Sequence, residues 1–194
     1  MYSLTNIESP NLGFYTENNF LSDEDFFILN KFSDSFKFEK ALVHNDVNVD
    51  TRNTSIYWIK PPFEDKQIQD IFKKIRSKII EINESVFQFE LTDIEPIQYT
   101  RYHMGNFYKM HVDISNELLL GGMCRKLSFS IQLTDPSEYD GGDLLAYTSE
   151  SPTIACKEKG SMTFFPSFLL HEVKPVTRGV RNALVGWCWG PMFK

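Results

Sequence analysis

Cysteine and histidine are both scarce in this 194-residue chain, three of the first and four of the second. Cys124, Cys156 and Cys188 are odd in number, far apart and contain no C-x-x-C pair. That argues against a disulfide framework or a cysteine zinc site and predicts free thiols in a reducing compartment. Basic residues are outnumbered, 20 Lys and Arg against 26 Asp and Glu, for a net charge of −6. Neutralising a phosphate backbone needs a basic surface, so no nucleic-acid partner is expected. Long hydrophobic runs are missing as well. No stretch approaches the roughly 20 apolar residues of a membrane span. The opening MYSLTNIESPNLGFY has neither the basic flank nor the apolar run of a secretory signal. The expectation is a soluble, cytoplasmic protein with no membrane partner. What is present is ordinary for a folded chain: 42% hydrophobic and 24% charged residues, enough for one domain with a real core. The excess of phenylalanine, 17 residues, is expected in that core.

The first half reads as mixed. Ser22-Asp23-Glu24-Asp25 is a capping-box pattern, followed by Phe26, Phe27, Leu29 and Phe32 at spacings a helix can bury. Residues 41–59 lean towards strand with a loop around 44–54, and Pro61-Pro62 stops the chain there. The segment 65–87 predicts a helix, with Ile68, Ile71, Phe72, Ile75, Ile79 and Ile82 in one stripe. Lys73, Lys74, Arg76 and Lys78 lie mostly off that stripe and are read as a solvated face. Beyond about residue 92 the texture changes. Short β-prone runs at 94–102, 107–113, 125–134, 142–148, 152–156, 161–166, 169–176 and 181–189 are separated by turn residues such as Gly105-Asn106 and Asp140-Gly141-Gly142. That rhythm predicts a β-sandwich, jelly roll or small barrel. The fold class is therefore mostly β with flanking helices (α+β). Residues 1–91 read as a support region and 92–191 as the β core of a single domain.

In FYKMHVD, His111 and Asp113 are two apart, and on a strand such residues share a face. His171, in the later run FPSFLLHEVKPV, is far enough downstream to return beside them. Two His and one Asp on one face form the facial triad of non-haem Fe(II) oxygenases, which leaves coordination positions open. Alone, H-x-D is a weak signal. Arg181 strengthens it, because it opens the strand RNALVGWCWG on a face shared with Ala183, Val185, Trp187 and Trp189. A guanidinium facing an apolar interior needs a carboxylate. The strand supplies none, so a bound dicarboxylate is one reading. The other puts Arg181 at the rim in water, or paired with Asp143 or Glu172. His44 and His103 have no partner pattern and are read as structural or surface residues; the cysteines are read as small buried side chains.

These residues, with the run F-P-S-x-x-x-H-x-V-x-P-V-T-x-G-x-R, resemble the Fe(II)- and 2-oxoglutarate-dependent dioxygenases, in particular the prolyl 4-hydroxylase branch with its PKHD-type hydroxylases. The likeness covers about residues 94–191 and implies a double-stranded β-helix, or jelly-roll, core with N-terminal support helices. It implies that His111, Asp113 and His171 ligate iron and that Arg181 binds the distal carboxylate of 2-oxoglutarate. It gives Tyr102 a hydrogen bond to that cosubstrate. Gln132 stands where a second tyrosine is usual, and its amide is expected to take over that contact. Tyr108, Arg125 and Trp187 match positions that face the substrate. Gly141-Gly142 with Leu144 matches a structural G-G-x-L turn. The implied activity is hydroxylation of a prolyl or similar residue in a protein or peptide, with 2-oxoglutarate and O₂ converted to succinate and CO₂ and ascorbate as a reductant. A small-molecule hydroxylase and a non-catalytic jelly-roll binding module are the alternatives. The segment 114–124, glycine-hinged and leucine-rich, reads either as a flap over the substrate or as an ordinary loop.

Overall fold

The computed structural model of the protein describes residues 13–41, 50–114 and 121–193. Strand β1 (Tyr15–Glu17) precedes helix α1 (Asp23–Ser33), and strands β2 (Glu39–Lys40), β3 (Arg52–Asn53) and β4 (Ser55–Ile59) lead to helix α2 (Lys66–Ile82). The rest is strand: β5 (Asp93–Ile94), β6 (Ile97–His103), β7 (Phe107–His111), β8 (Met123–Gln132), β9 (Asp140–Gly141) and β10 (Leu144–Ala146). It ends with β11 (Thr153–Ile154), β12 (Met162–Pro166), β13 (His171–Val173), β14 (Val176–Arg178) and β15 (Val180–Pro191). An eight-stranded sheet runs β1-β12-β8-β15-β6-β4-β2, with β5 alongside β15, and a five-stranded sheet runs β11-β10-β13-β7-β3. All pairings are antiparallel. This is the α+β double-stranded β-helix that the resemblance implies, one of the β architectures that the punctuated strands leave open.

Both expected helices form, each for a local reason. At α1 the capping box closes in both directions, with Asp25 N donating to Ser22 Oγ at 3.2 Å and Ser22 N donating to Asp25 Oδ2 at 2.8 Å. Its buried stripe is narrower than the phenylalanine spacing suggests. Phe26 and Leu29 go in, but Phe27 is 71% exposed. At α2, Asp65 caps the N-terminus by accepting from Gln67 N at 2.7 Å. The five buried isoleucines, 68, 71, 75, 79 and 82, follow the predicted stripe. The helix ends five residues before expected, in a wider turn over Asn83–Phe87. Asn83 stops it, because its side chain holds Phe89 through both amide atoms, at 2.8 and 3.0 Å.

Ile71, Ile75, Ile79 and Ile82 of α2 pack on the outer face of the large sheet, against Leu127, Phe129, Ile131, Phe164 and Leu184. On the inner side, Tyr102, Leu144, Phe165, Val173 and Val176 form a second cluster that joins the two sheets. One end of that interior is left as a cavity. No helix among the described residues is long and apolar enough to cross a membrane. Residues 42–49, which include His44, lie outside the described residues, as do residues 115–120 of the segment read as a flap.

Candidate functional site

A pocket opens between the two sheets, and its wall includes His111, Asp113, His171, Arg181, Tyr102, Tyr108 and Trp187. The small sheet supplies both histidines. Strands β7 and β13 are neighbours, with His111 directly opposite His171 and an irregularity in the pairing beyond them, so the imidazoles sit with ring centroids 4.2 Å apart. Asp113 arrives differently from the sequence expectation. Strand β7 stops at His111, and Asp113 lies in the bend beyond it. What aims its carboxylate is a pair of backbone bonds, from Asp113 N and Ile114 N to the Ser167 carbonyl at 2.9 and 3.1 Å. His111 Nε2 is then 3.7 Å from Asp113 Oδ1, and His171 Nε2 is 3.6 Å from Oδ2.

The donor set suits a divalent metal. Each imidazole has Nδ1 at 2.7 Å from a backbone carbonyl, Lys109 O for His111 and Leu169 O for His171. A carbonyl only accepts, so the proton sits on Nδ1 and the Nε2 lone pair faces the cluster. Burial first, then the neighbouring His171, pushes the His111 imidazole down to about 4, which keeps it neutral near pH 7. For Asp113, burial works to raise the carboxyl, but His171, His111 and the Ser128 hydroxyl outweigh it and hold the group below its ordinary value. The ligand atoms of all three side chains lie within 4.8 Å of one another. Ser128 Oγ donates to Asp113 Oδ2 at 2.7 Å and meets Ser167 Oγ at 2.9 Å. One carboxylate oxygen is thereby fixed, and Oδ1 is left for a ligand role.

Arg181 resolves the two sequence readings. It is only 5% exposed, so it is not at a wet rim. Asp143 is paired with Lys157 at 2.7 Å, and Glu172 with Lys174 at 2.8 Å and with the Tyr147 hydroxyl. Among the described residues Arg181 makes no ion pair; its neighbours are the Tyr102 ring, 5.4 Å away, and the Tyr139 hydroxyl. Gly142 lets the arginine lie there. A Cβ at that position would come within 3.0 Å of Arg181 Cδ, and its φ of +61° already suits glycine. An uncompensated buried guanidinium in the cavity wall fits a carboxylate ligand.

Two expected residues lie elsewhere. Gln132 is absent from the cavity wall, because its amide donates to the Tyr139 hydroxyl at 2.8 Å. It therefore reaches Arg181 only through Tyr139. Arg125 is also off the wall. Its guanidinium grips Glu95 at 2.5 and 2.6 Å and stacks 4.1 Å from the Trp187 ring. Trp189 joins Glu95 from the other side of a bulge at Cys188–Trp189 and leaves the face shared by Arg181 and Trp187. Sequence reasoning missed Ser128, Ser167, Tyr139, Arg52 and Gln98. A signal existed for Ser128, since Ser128, Ser130 and Gln132 alternate with Leu127, Phe129 and Ile131 on β8. The other four owe their positions to partners distant in sequence.

Residues 97–189 match the family model described as the 2OG-Fe(II) oxygenase superfamily. A PKHD-type hydroxylase of Maricaulis maris is 38% identical over 91 residues, 47% of this chain and 40% of that protein. Another, from Rippkaea orientalis, is 39% identical over 97 residues, 48% of this chain and 42% of that one. The chain thus spans about two fifths of the length of these relatives. Among solved structures, a Pseudomonas putida prolyl-4-hydroxylase superposes with a TM-score of 0.74 at 24% identity, over 92% of this chain and 93% of that one. A Trichoplax adhaerens prolyl hydroxylase in complex with a hypoxia inducible factor peptide fragment gives 0.74 at 22% identity, over 92% and 84%. At these identities the structural likeness is one of fold.

Proposed function

We propose that this chain, whose residues 97–189 match the 2OG-Fe(II) oxygenase superfamily, is a dioxygenase that hydroxylates a prolyl or similar residue in a protein or peptide. The observation that carries the reading is the pairing, in one cavity, of three converging metal-type donors with a buried arginine that has no ion-pair partner among the described residues. His111, Asp113 and His171 would hold Fe(II), and Arg181, steadied by Tyr139, would hold the far carboxylate of 2-oxoglutarate. When held there, Fe(II) would supply the oxidising chemistry that hydroxylates an unactivated C–H bond, with 2-oxoglutarate and O₂ as co-reactants and succinate and CO₂ as their products.

The protein's own part is orientation and exclusion of water. The Nδ1–H groups of both histidines are tied to backbone carbonyls, which keeps each Nε2 free to bind metal. Ser128 holds one Asp113 oxygen so that the carboxylate cannot swing. Phe165, Leu144 and Val173 form dry wall around the donors, where charge interactions are stronger than in water. The names of the relatives support hydroxylation, and a fold neighbour that is a prolyl hydroxylase with a bound peptide fragment supports prolyl chemistry on a macromolecular substrate.

The test is succinate formation by purified protein with Fe(II), 2-oxoglutarate and air, with candidate peptides present and mass spectrometry for one added oxygen on proline. Turnover in the wild type and none in Asp113→Ala supports the reading. Arg181→Ala should raise the 2-oxoglutarate requirement while leaving iron affinity nearly unchanged. No succinate above the Asp113→Ala background sinks the oxygenase reading and leaves a binding module.

A further inference from the structure

Among the described residues, two buried side-chain polar atoms have no hydrogen-bond partner, Arg52 Nε and Trp187 Nε1. Both are donors that cannot accept, and both residues line the cavity of His111, Asp113 and His171. Bare buried donors are uncommon in native proteins, because each gives up its bonds to water without replacement. Two of them in the wall of one cavity point to an acceptor that enters it.

Arg52 sits on β3, opposite Tyr108 of β7, and is 8% exposed. Its Nη2 donates to the neutral Gln98 Oε1 at 2.6 Å. Its guanidinium carbon is 4.6 Å from the Tyr108 ring centroid, and that ring is stacked on His111 at 3.5 Å. No ion pair joins it to a carboxylate among the described residues. Its end of the cavity is not Arg181's end. On β6, Gln98 lies opposite Val185 and Tyr102 opposite Arg181, a separation of about 13 Å at about 3.3 Å per residue. Trp187 is two residues past Val185 on the same face, so both bare donors belong to the Gln98 end.

We propose that Arg52, assisted by Trp187, determines substrate specificity by binding a carboxylate on the molecule to be hydroxylated. A neutral carbonyl would satisfy one N–H but leave the buried charge uncompensated, whereas a carboxylate offers two oxygens and the neutralising charge. The inference rests on the function proposed above, in which 2-oxoglutarate occupies the Arg181 end. The carboxylate comes either from a free acid or from an acidic side chain next to the reacting residue in a peptide. Arg52 meets the same chemistry in both.

The test is binding without turnover, read by tryptophan fluorescence on anaerobic protein loaded with Fe(II) and saturating 2-oxoglutarate. Two matched pairs of probes are titrated: N-acetyl-L-proline against N-acetyl-L-prolinamide, and acetyl-Pro-Asp-amide against acetyl-Pro-Asn-amide. Within each pair the members differ by one negative charge. In one pair the acid should bind about tenfold tighter or better than its neutral partner. Arg52→Gln should abolish that preference, and Arg52→Lys, which keeps the charge without the fork, should retain part of it. The favoured pair identifies the source of the carboxylate. Equal binding within both pairs, absence of binding by either acid, or a preference that survives Arg52→Gln overturns the proposal. Loading of wild-type protein with Fe(II) and 2-oxoglutarate is checked first by dialysis. It fails if the oxygenase reading fails and stands if only the role of Arg52 is wrong.

Discussion

Strand β8 presents two different surfaces from one run of residues. Leu127, Phe129 and Ile131 face the helices and are fully buried among aliphatic and aromatic neighbours. Ser128, Ser130 and Gln132 face the other way, towards the cavity and its supports. The outer surface is large, apolar and closely packed: Phe129 lies so near Gly186 that a Cβ there would approach its ring to 2.3 Å. The inner surface is small, polar and arranged around donors that it does not itself provide. The difference separates two tasks. The outer face stabilises the sheet through area removed from water, and the inner face gives up part of that area to hold side chains in fixed directions.

Substitutions on the two faces should therefore fail in different ways. The largest effect is expected from Phe129→Ala, which should cost about 3–5 kcal/mol of stability in urea unfolding while its folded fraction binds iron as the wild type does. A loss under 1 kcal/mol would mean the outer face is not the main support. On the inner face, His171→Ala should lower iron affinity by about 100-fold or more in equilibrium dialysis with a much smaller change in urea midpoint; an unchanged affinity would remove His171 from the site. Ser128→Ala should be milder, with iron affinity reduced about tenfold and the fold intact, since it frees one Asp113 oxygen without removing a ligand. If stability fell instead of affinity, Ser128 would be packing and not positioning.

The smallest effect concerns pH. Burial pushes the Cys188 thiol up from 9.0 to about 12, so the folded protein keeps its proton where the unfolded chain releases it. The stability this contributes is complete below about pH 9 and is lost as pH rises towards 12. Between pH 8 and 10.5 the urea midpoint of the wild type should fall more than that of Cys188→Ala. Equal slopes would place the thiol in contact with water.

The same two faces explain what could be read from the sequence. The outer face follows period, so the α2 stripe is legible in the sequence, and turn residues mark most strand ends. Edge strands β1 and β2 carry no such signal, because their place depends on β12 and β4. The inner face depends on meetings across the chain. His111, Asp113, His171 and Arg181 stand in a spaced motif, and they converge on one cavity. Arg125 and Gln132 were expected at the same cavity and are instead held by Glu95 and Tyr139. Nothing local distinguishes an arginine that meets a substrate from one that meets a glutamate on another strand. Arg52 gives no sequence signal for the converse reason: it falls in 44–54, a stretch that reads as loop, and only the sheet brings it to Tyr108.

The direct opposition of His111 and His171 across β7 and β13 also has a kinetic meaning. The two strands are distant in sequence, so closing that loop is slow and the pair exists only once the small sheet has assembled. A metal held there binds the finished fold and not its precursors. Its stabilisation should accordingly appear as slower unfolding, with the rate of folding left almost as it was.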